Sequence, residues 1–91
     1  MANVIVTFKI MPESPNIDLK KLESSAKKKI GDFGAEVGKV EENPIAFGLN
    51  ALNIIFVMDE KKGSTDILED QIAEIKGVKS VEVTDIRRAI G

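Results

Sequence analysis

NALNIIFVMD, Asn50 to Asp59, is the stretch on which the fold turns. Leu52, Ile54, Phe56 and Met58 alternate with Asn53, Ile55 and Val57. A period of two over this length belongs to a strand, and isoleucine, valine and phenylalanine suit a pleated surface. The same alternation opens the chain. From Asn3 to Met11, Val4, Val6, Phe8 and Ile10 lie on one face and Ile5, Thr7 and Lys9 on the other.

Working outward, the segments between these strands change period. After MPESPNID, where Pro12 and Pro15 break the first strand, Asp18 stands as a helix cap and Ile17 is placed to staple against Leu22. Leu19, Leu22, Ala26, Ile30 and Phe33 then recur at helical spacing, with Gly31 or Gly34 as the stop. Ala35 to Glu42 reads as a weaker strand. Val37 and Val40 are its apolar positions and charges fall on both faces, which suits a sheet edge. Beyond Asp59, Gly63 leads to a second helix start, with Asp66 and Glu69 spaced as a capping box. Leu68, Ile72 and Ile75 form its stripe and Gly77 ends it. Val81 and Val83 carry a last strand over Val78 to Ile86.

Strand, helix, strand, strand, helix, strand predicts a ferredoxin-like α+β sandwich: βαββαβ, a four-stranded antiparallel sheet with two helices on one face. Phe8, Leu22, Ile54, Phe56 and Ile72 are the expected core. Ile5, Ile55 and Val57 face the uncovered side, either as a partner surface or as ordinary surface aliphatics.

Composition narrows function. Ninety-one residues, 43% hydrophobic and 31% charged, describe one globular domain, residues 1–91, and no apolar run is long enough to cross a bilayer. The opening MANVIVTFKI lacks an export-type segment and there is no cysteine, so a cytoplasmic location is expected. Histidine is absent too, which removes the commonest general base and metal ligand. A net charge of −2 disfavours broad phosphate-backbone binding. There is no phosphate-binding glycine loop, and Phe8 and Phe56 fall on the core face, which leaves no stacking platform for RNA. The carboxylates at Glu41, Glu42, Asp59, Glu60, Asp66, Glu69 and Asp70 read as a solvated edge, a turn and helix N-terminal charge; Lys27 to Lys29 read as a solvated helix face. No enzyme emerges.

One loop does not fit a bland reading. NPIAFGLNAL, Asn43 to Leu52, holds Phe47, one of four aromatic residues in the chain, between Ala46 and Gly48. From the residues alone it is either a piece of core or a ring presented to a partner.

From Pro44 onward the chain resembles the C-terminal exchange domain of the elongation factor 1-beta family, the guanine-nucleotide exchange factors for the GTPase elongation factor 1-alpha. PIAFGLNAL (Pro44 to Leu52), MDEKKGSTDILEDQI (Met58 to Ile72) and VEVTDIRRAI (Val81 to Ile90) carry the resemblance. Beginning at its first strand, the chain looks like the short, archaeal-type form. The resemblance implies an elongation factor 1-alpha partner, no cofactor, no covalent chemistry, no direct contact with nucleic acid or membrane, and a monomer when free. It implies that Phe47, flanked by Pro44, Ala46 and Gly48, inserts between helices of the GTPase near its magnesium and phosphate region. Ile86, Arg87 and Arg88 complete the implied partner-binding set. Eukaryotic members carry a lysine beside the C-terminus that reaches toward the magnesium; its register falls near Gly91, and no lysine follows Lys79. Arg87 and Arg88 are then the available cations, and otherwise plain solvated charge at a strand end. The alternative is a small regulatory domain of the same topology that binds a metabolite. The glycine-free loop MPESPNID counts against it.

Overall fold

The computed structural model describes residues 3–89. Its elements are β1 (Asn3–Pro12), α1 (Leu19–Phe33), β2 (Glu36–Pro44), β3 (Asn50–Asp59), a 3₁₀ turn (Glu60–Lys62), α2 (Asp66–Ala73) and β4 (Val78–Ala89). The sheet runs in the order β2-β3-β1-β4, antiparallel throughout. This is the ferredoxin-like arrangement that the alternation predicts.

Burial follows the two periods. Val6, Phe8 and Ile10 of β1 and Leu52, Ile54, Phe56 and Met58 of β3 are buried, together with Leu22, Ala26 and Ile30 of α1 and Leu68 and Ile72 of α2. At the centre the Phe8 and Phe56 rings meet edge to face, centroids 4.8 Å apart. Aromatic pairs favour that approach because the ring edge is positive and the face negative. All five expected core residues are buried.

Three register shifts set which residues face the helices; the one between Met11 and Pro12 leaves Lys79 as an extra residue, so that Val78 and Val81 both pack inward. Opposite β3, Val37 pairs with Phe56 and Lys39 with Ile55, so Gly38 is an extra residue. Val37 and Val40, three apart, can therefore both pack toward the core, which a regular strand does not allow. Opposite β1, Thr7 pairs with Asp85 and Phe8 with Val83, which leaves Thr84 as the extra residue. Before it Val81 and Val83 face the helices; after it Ile86 and Arg88 do, paired with Val6 and Val4.

The α1 cap is as expected. Asp18 Oδ1 accepts from the backbone N–H groups of Lys20 and Lys21 at 3.0 and 3.3 Å. Gly34, not Gly31, closes the helix, at φ 96° in the left-handed region where glycine is favoured. The second helix differs from expectation at both ends. Its cap position is Thr65, one residue before Asp66, and Thr65 Oγ1 donates to Glu69 Oε2 at 2.8 Å. The Asp66 N–H is taken up instead by Ser64 Oγ at 3.0 Å. The helix stops at Ala73, so Ile75 and Gly77 lie in the turn that follows. Ile17 packs over Gly77, where a Cβ would come within 3.2 Å of it, so that turn is locked against the loop before α1.

Candidate functional site

The hairpin between β2 and β3 is closed tightly. The Ile45 N–H donates to Leu49 O at 2.8 Å and the Leu49 N–H to Ala46 O at 3.1 Å. Phe47 and Gly48 are the two central residues of that turn, with φ values of 59° and 76°. Positive φ at both centres is the pattern of a type I′ turn, which matches strand twist and ordinarily takes Asn-Gly. A phenylalanine in the left-handed region costs roughly 1–2 kcal/mol.

Nothing in the fold offsets that cost. The Phe47 residue is 93% exposed. Its ring gains no burial and its backbone stands in an unfavourable well, so the core reading of this residue is excluded. Strain held at an exposed side chain is typical of sites where geometry serves binding. The neighbours hold the turn in shape. Pro44 ends β2 opposite Asn50, with its φ fixed by the ring, and Ala46 and Gly48 are small and exposed. Sequence reading missed one support. A Cβ on Gly48 would lie 3.9 Å from Pro15 in the loop before α1, so that loop runs beside the hairpin. A second proline in a neighbouring loop was the available signal, but sequence does not say which loops meet.

The other members of the expected set lie elsewhere. Arg87 and Arg88 pair with Ile5 and Val4 near the start of β1, whereas Phe47 lies beyond the Pro12 end. Eight residues of strand at about 3.3 Å each separate those levels by roughly 25 Å. The structure does not bring the aromatic and the arginines together. One insertion point therefore cannot use both. The arginines also point to opposite faces. Arg87 Nε meets Asp85 Oδ2 at 2.9 Å on the open face, and Arg88 Nη2 meets Glu60 Oε2 at 2.6 Å on the helix side. Each guanidinium already has a carboxylate partner. Glu60 comes from the 3₁₀ turn, a pairing no sequence spacing announces. Ile86, beside them, is 59% exposed although its face is the one packed by helices further along. The lysine register near Gly91 lies outside the described residues.

Among the described residues there is no group of acidic side chains arranged to hold a metal ion, and no helix is long and apolar enough to cross a membrane.

Comparison with known proteins places this geometry. Among solved structures, the ACT domain from GTP pyrophosphokinase of Chlorobium tepidum superposes with a TM-score of 0.60 at 21% identity, covering 89% of this chain and 97% of that one. The C-terminal domain of the MgtC protein from Mycobacterium tuberculosis gives 0.64 at 10% identity, covering 96% and 87%. At such identities the likeness shows the fold alone. Sequence relatives are more telling. Elongation factor 1-beta of Methanothermobacter thermautotrophicus is 44% identical over 97% of this chain and 98% of its own length. The proteins of that name from Methanobrevibacter smithii and Staphylothermus marinus are 47% and 40% identical, each over 97% of this chain and 98% of its own length. The family model described as the EF-1 guanine nucleotide exchange domain matches residues 5–89. From the hairpin turn to the last strand, and over nearly its whole length, the chain belongs to the EF-1 guanine nucleotide exchange domain family.

Proposed function

We propose that this chain, acting as one exchange domain over residues 1–91, promotes exchange of GDP for GTP on elongation factor 1-alpha in translation. Family membership supports the reaction. The observation that carries the contact is Phe47, an aromatic side chain exposed on a strained backbone in a turn preceded by Pro44.

No covalent step is required. A protein that binds the nucleotide-free GTPase more tightly than the loaded form weakens nucleotide binding by the same factor, because coupling between two ligands is reciprocal. Phe47 serves as the anchor in an apolar cleft of the GTPase. Aromatic anchors dominate interface energy, and a ring whose turn is already fixed loses little entropy on docking. Pro44, Ala46 and Gly48 keep the turn narrow enough to enter. Ile86, Arg87 and Arg88 form a second contact at the far end of the sheet. With roughly 25 Å between the ends, the factor spans its partner and does not wedge at one point. A single copy offers both ends. The arginines, each paired with a carboxylate, orient this end and do not compete for phosphate.

The test is release of fluorescent GDP from the cognate GTPase. The protein is expected to accelerate release, and Phe47→Ala to lose most of that acceleration with an unchanged melting temperature. Full activity in Phe47→Ala would remove the ring from the contact; no acceleration by the unaltered protein would end the exchange reading.

A further inference from the structure

The acidic stretch Met58 to Ile72 is part of what identifies the chain, yet the contacts described so far leave most of it without a role. The structure shows what it builds. α2 starts only at Asp66 and is eight residues long. The Asn3–Asp59 end of the sheet is therefore only partly covered on the helix side: Met58 is buried, but Val4 is half-buried and Ile86 exposed. A groove of about 450 Å³ opens there, with Val4, Met58, Val83 and Ile86 among its floor residues and Asp66 and Glu69 on its rim. The Thr84 bulge is what turns Ile86 into this groove. Without that extra residue the same register would present Asp85 and Arg87 instead.

We infer that this groove receives a surface helix of the GTPase, through an apolar side chain that fills the floor and Lys or Arg side chains that flank it. The inference rests on the exchange function proposed above and gives its second contact a location and a chemistry. Two observations select the occupant. The groove adjoins the second contact proposed above, since Ile86 lines it. Its rim is acidic: Asp66 and Glu69 stand in the first turn of α2, and the nearest arginine, Arg88, is engaged by Glu60. An apolar floor with an acidic rim complements an amphipathic basic helix, the helix-in-groove mode of recognition. An acidic or nucleic-acid partner would meet like charge.

The chain has no cysteine, so a single introduced thiol reports one place. Ile86→Cys is compared with Lys9→Cys, on the open face of the sheet. Maleimide labelling is followed with and without nucleotide-free GTPase, and complex formation is checked by comigration. Labelling at position 86 is expected to slow at least tenfold in the complex while position 9 reacts at its free rate. Asp66→Asn is expected to raise the half-saturating concentration for GDP release several-fold at low salt, with little change at high salt. If the complex forms and position 86 labels at its free rate, the groove is not the contact, although the exchange function stands. Protection of position 9 alone would move the contact to the open face. If no complex forms and GDP release is unaffected, both the function and the groove fall.

Discussion

In the proposed contact, Phe47 separates folding from function within one residue. Its φ of 59° is unfavourable for phenylalanine, and its ring contributes nothing to the core. Asparagine tolerates the left-handed region and Asn-Gly is the favoured pair for such a turn. Phe47→Asn is therefore expected to stabilise the protein by up to about 1 kcal/mol, a Tm gain of a few degrees in a domain of this size, while exchange activity falls. Differential scanning calorimetry beside the GDP-release assay checks both signs. A Tm several degrees lower would show that the ring packs on something the fold needs. Sequence alone left Phe47 open between core and display. The deciding quantities, φ and exposure, depend on how the hairpin closes.

At the scale of elements, most of the layout was legible because each element carries its own period and stop. The first helix is the clearest case. Asp18 takes up two N–H groups that the helix cannot satisfy internally, and Asp18→Ala is expected to cost about 0.5–2 kcal/mol. Urea unfolding should show a lower midpoint with an unchanged slope, and saturating exchange should be unaltered; an unchanged midpoint would mean that water replaces the cap without loss. The second helix was read less well. Asp66 and Glu69 have capping-box spacing, but the cap position is Thr65, whose hydroxyl donates to Glu69, and Ser64 Oγ accepts from the Asp66 N–H. The apolar stripe runs on to Ile75 although the helix does not. That side chain reaches the core from the turn after Ala73. A periodic pattern reports which residues are buried, and a turn can deliver one of them as well as a helix can.

Across the whole molecule, a small core and two distant proposed contacts set the expectations. Phe56 is fully buried against Phe8, and Phe56→Ala is expected to cost about 3–5 kcal/mol. Against a total of roughly 5–15 kcal/mol that is a large share, and a melt within a degree or two of the unaltered protein would overturn the face assignment of β3. The arginine end predicts the opposite profile. Arg87 and Arg88 are exposed and paired to Asp85 and Glu60, and such pairs contribute about 0–1 kcal/mol to stability. Arg87→Ala/Arg88→Ala should leave Tm nearly unchanged and alter only the association rate, at low salt, with little difference at high salt where steering is screened. A salt-independent loss of the maximal release rate would assign the guanidinium groups a direct part in displacing nucleotide.

Sequence by itself determined the order of elements, the core faces of β1 and β3, the cap of α1 and the family, because periodicity, capping and motif are local and each is written within a few residues. Tertiary structure decided the rest. Whether Val37 and Val40 share a face, and whether Ile86 or Arg87 turns toward the helices, depends on bulges at Gly38 and Thr84. A bulge appears only when a strand is paired against its neighbour, since it is a mismatch of two registers. The same holds for distance. Phe47 and Arg88 are related by where β1 begins and ends, and only the paired sheet places them at opposite ends of the molecule.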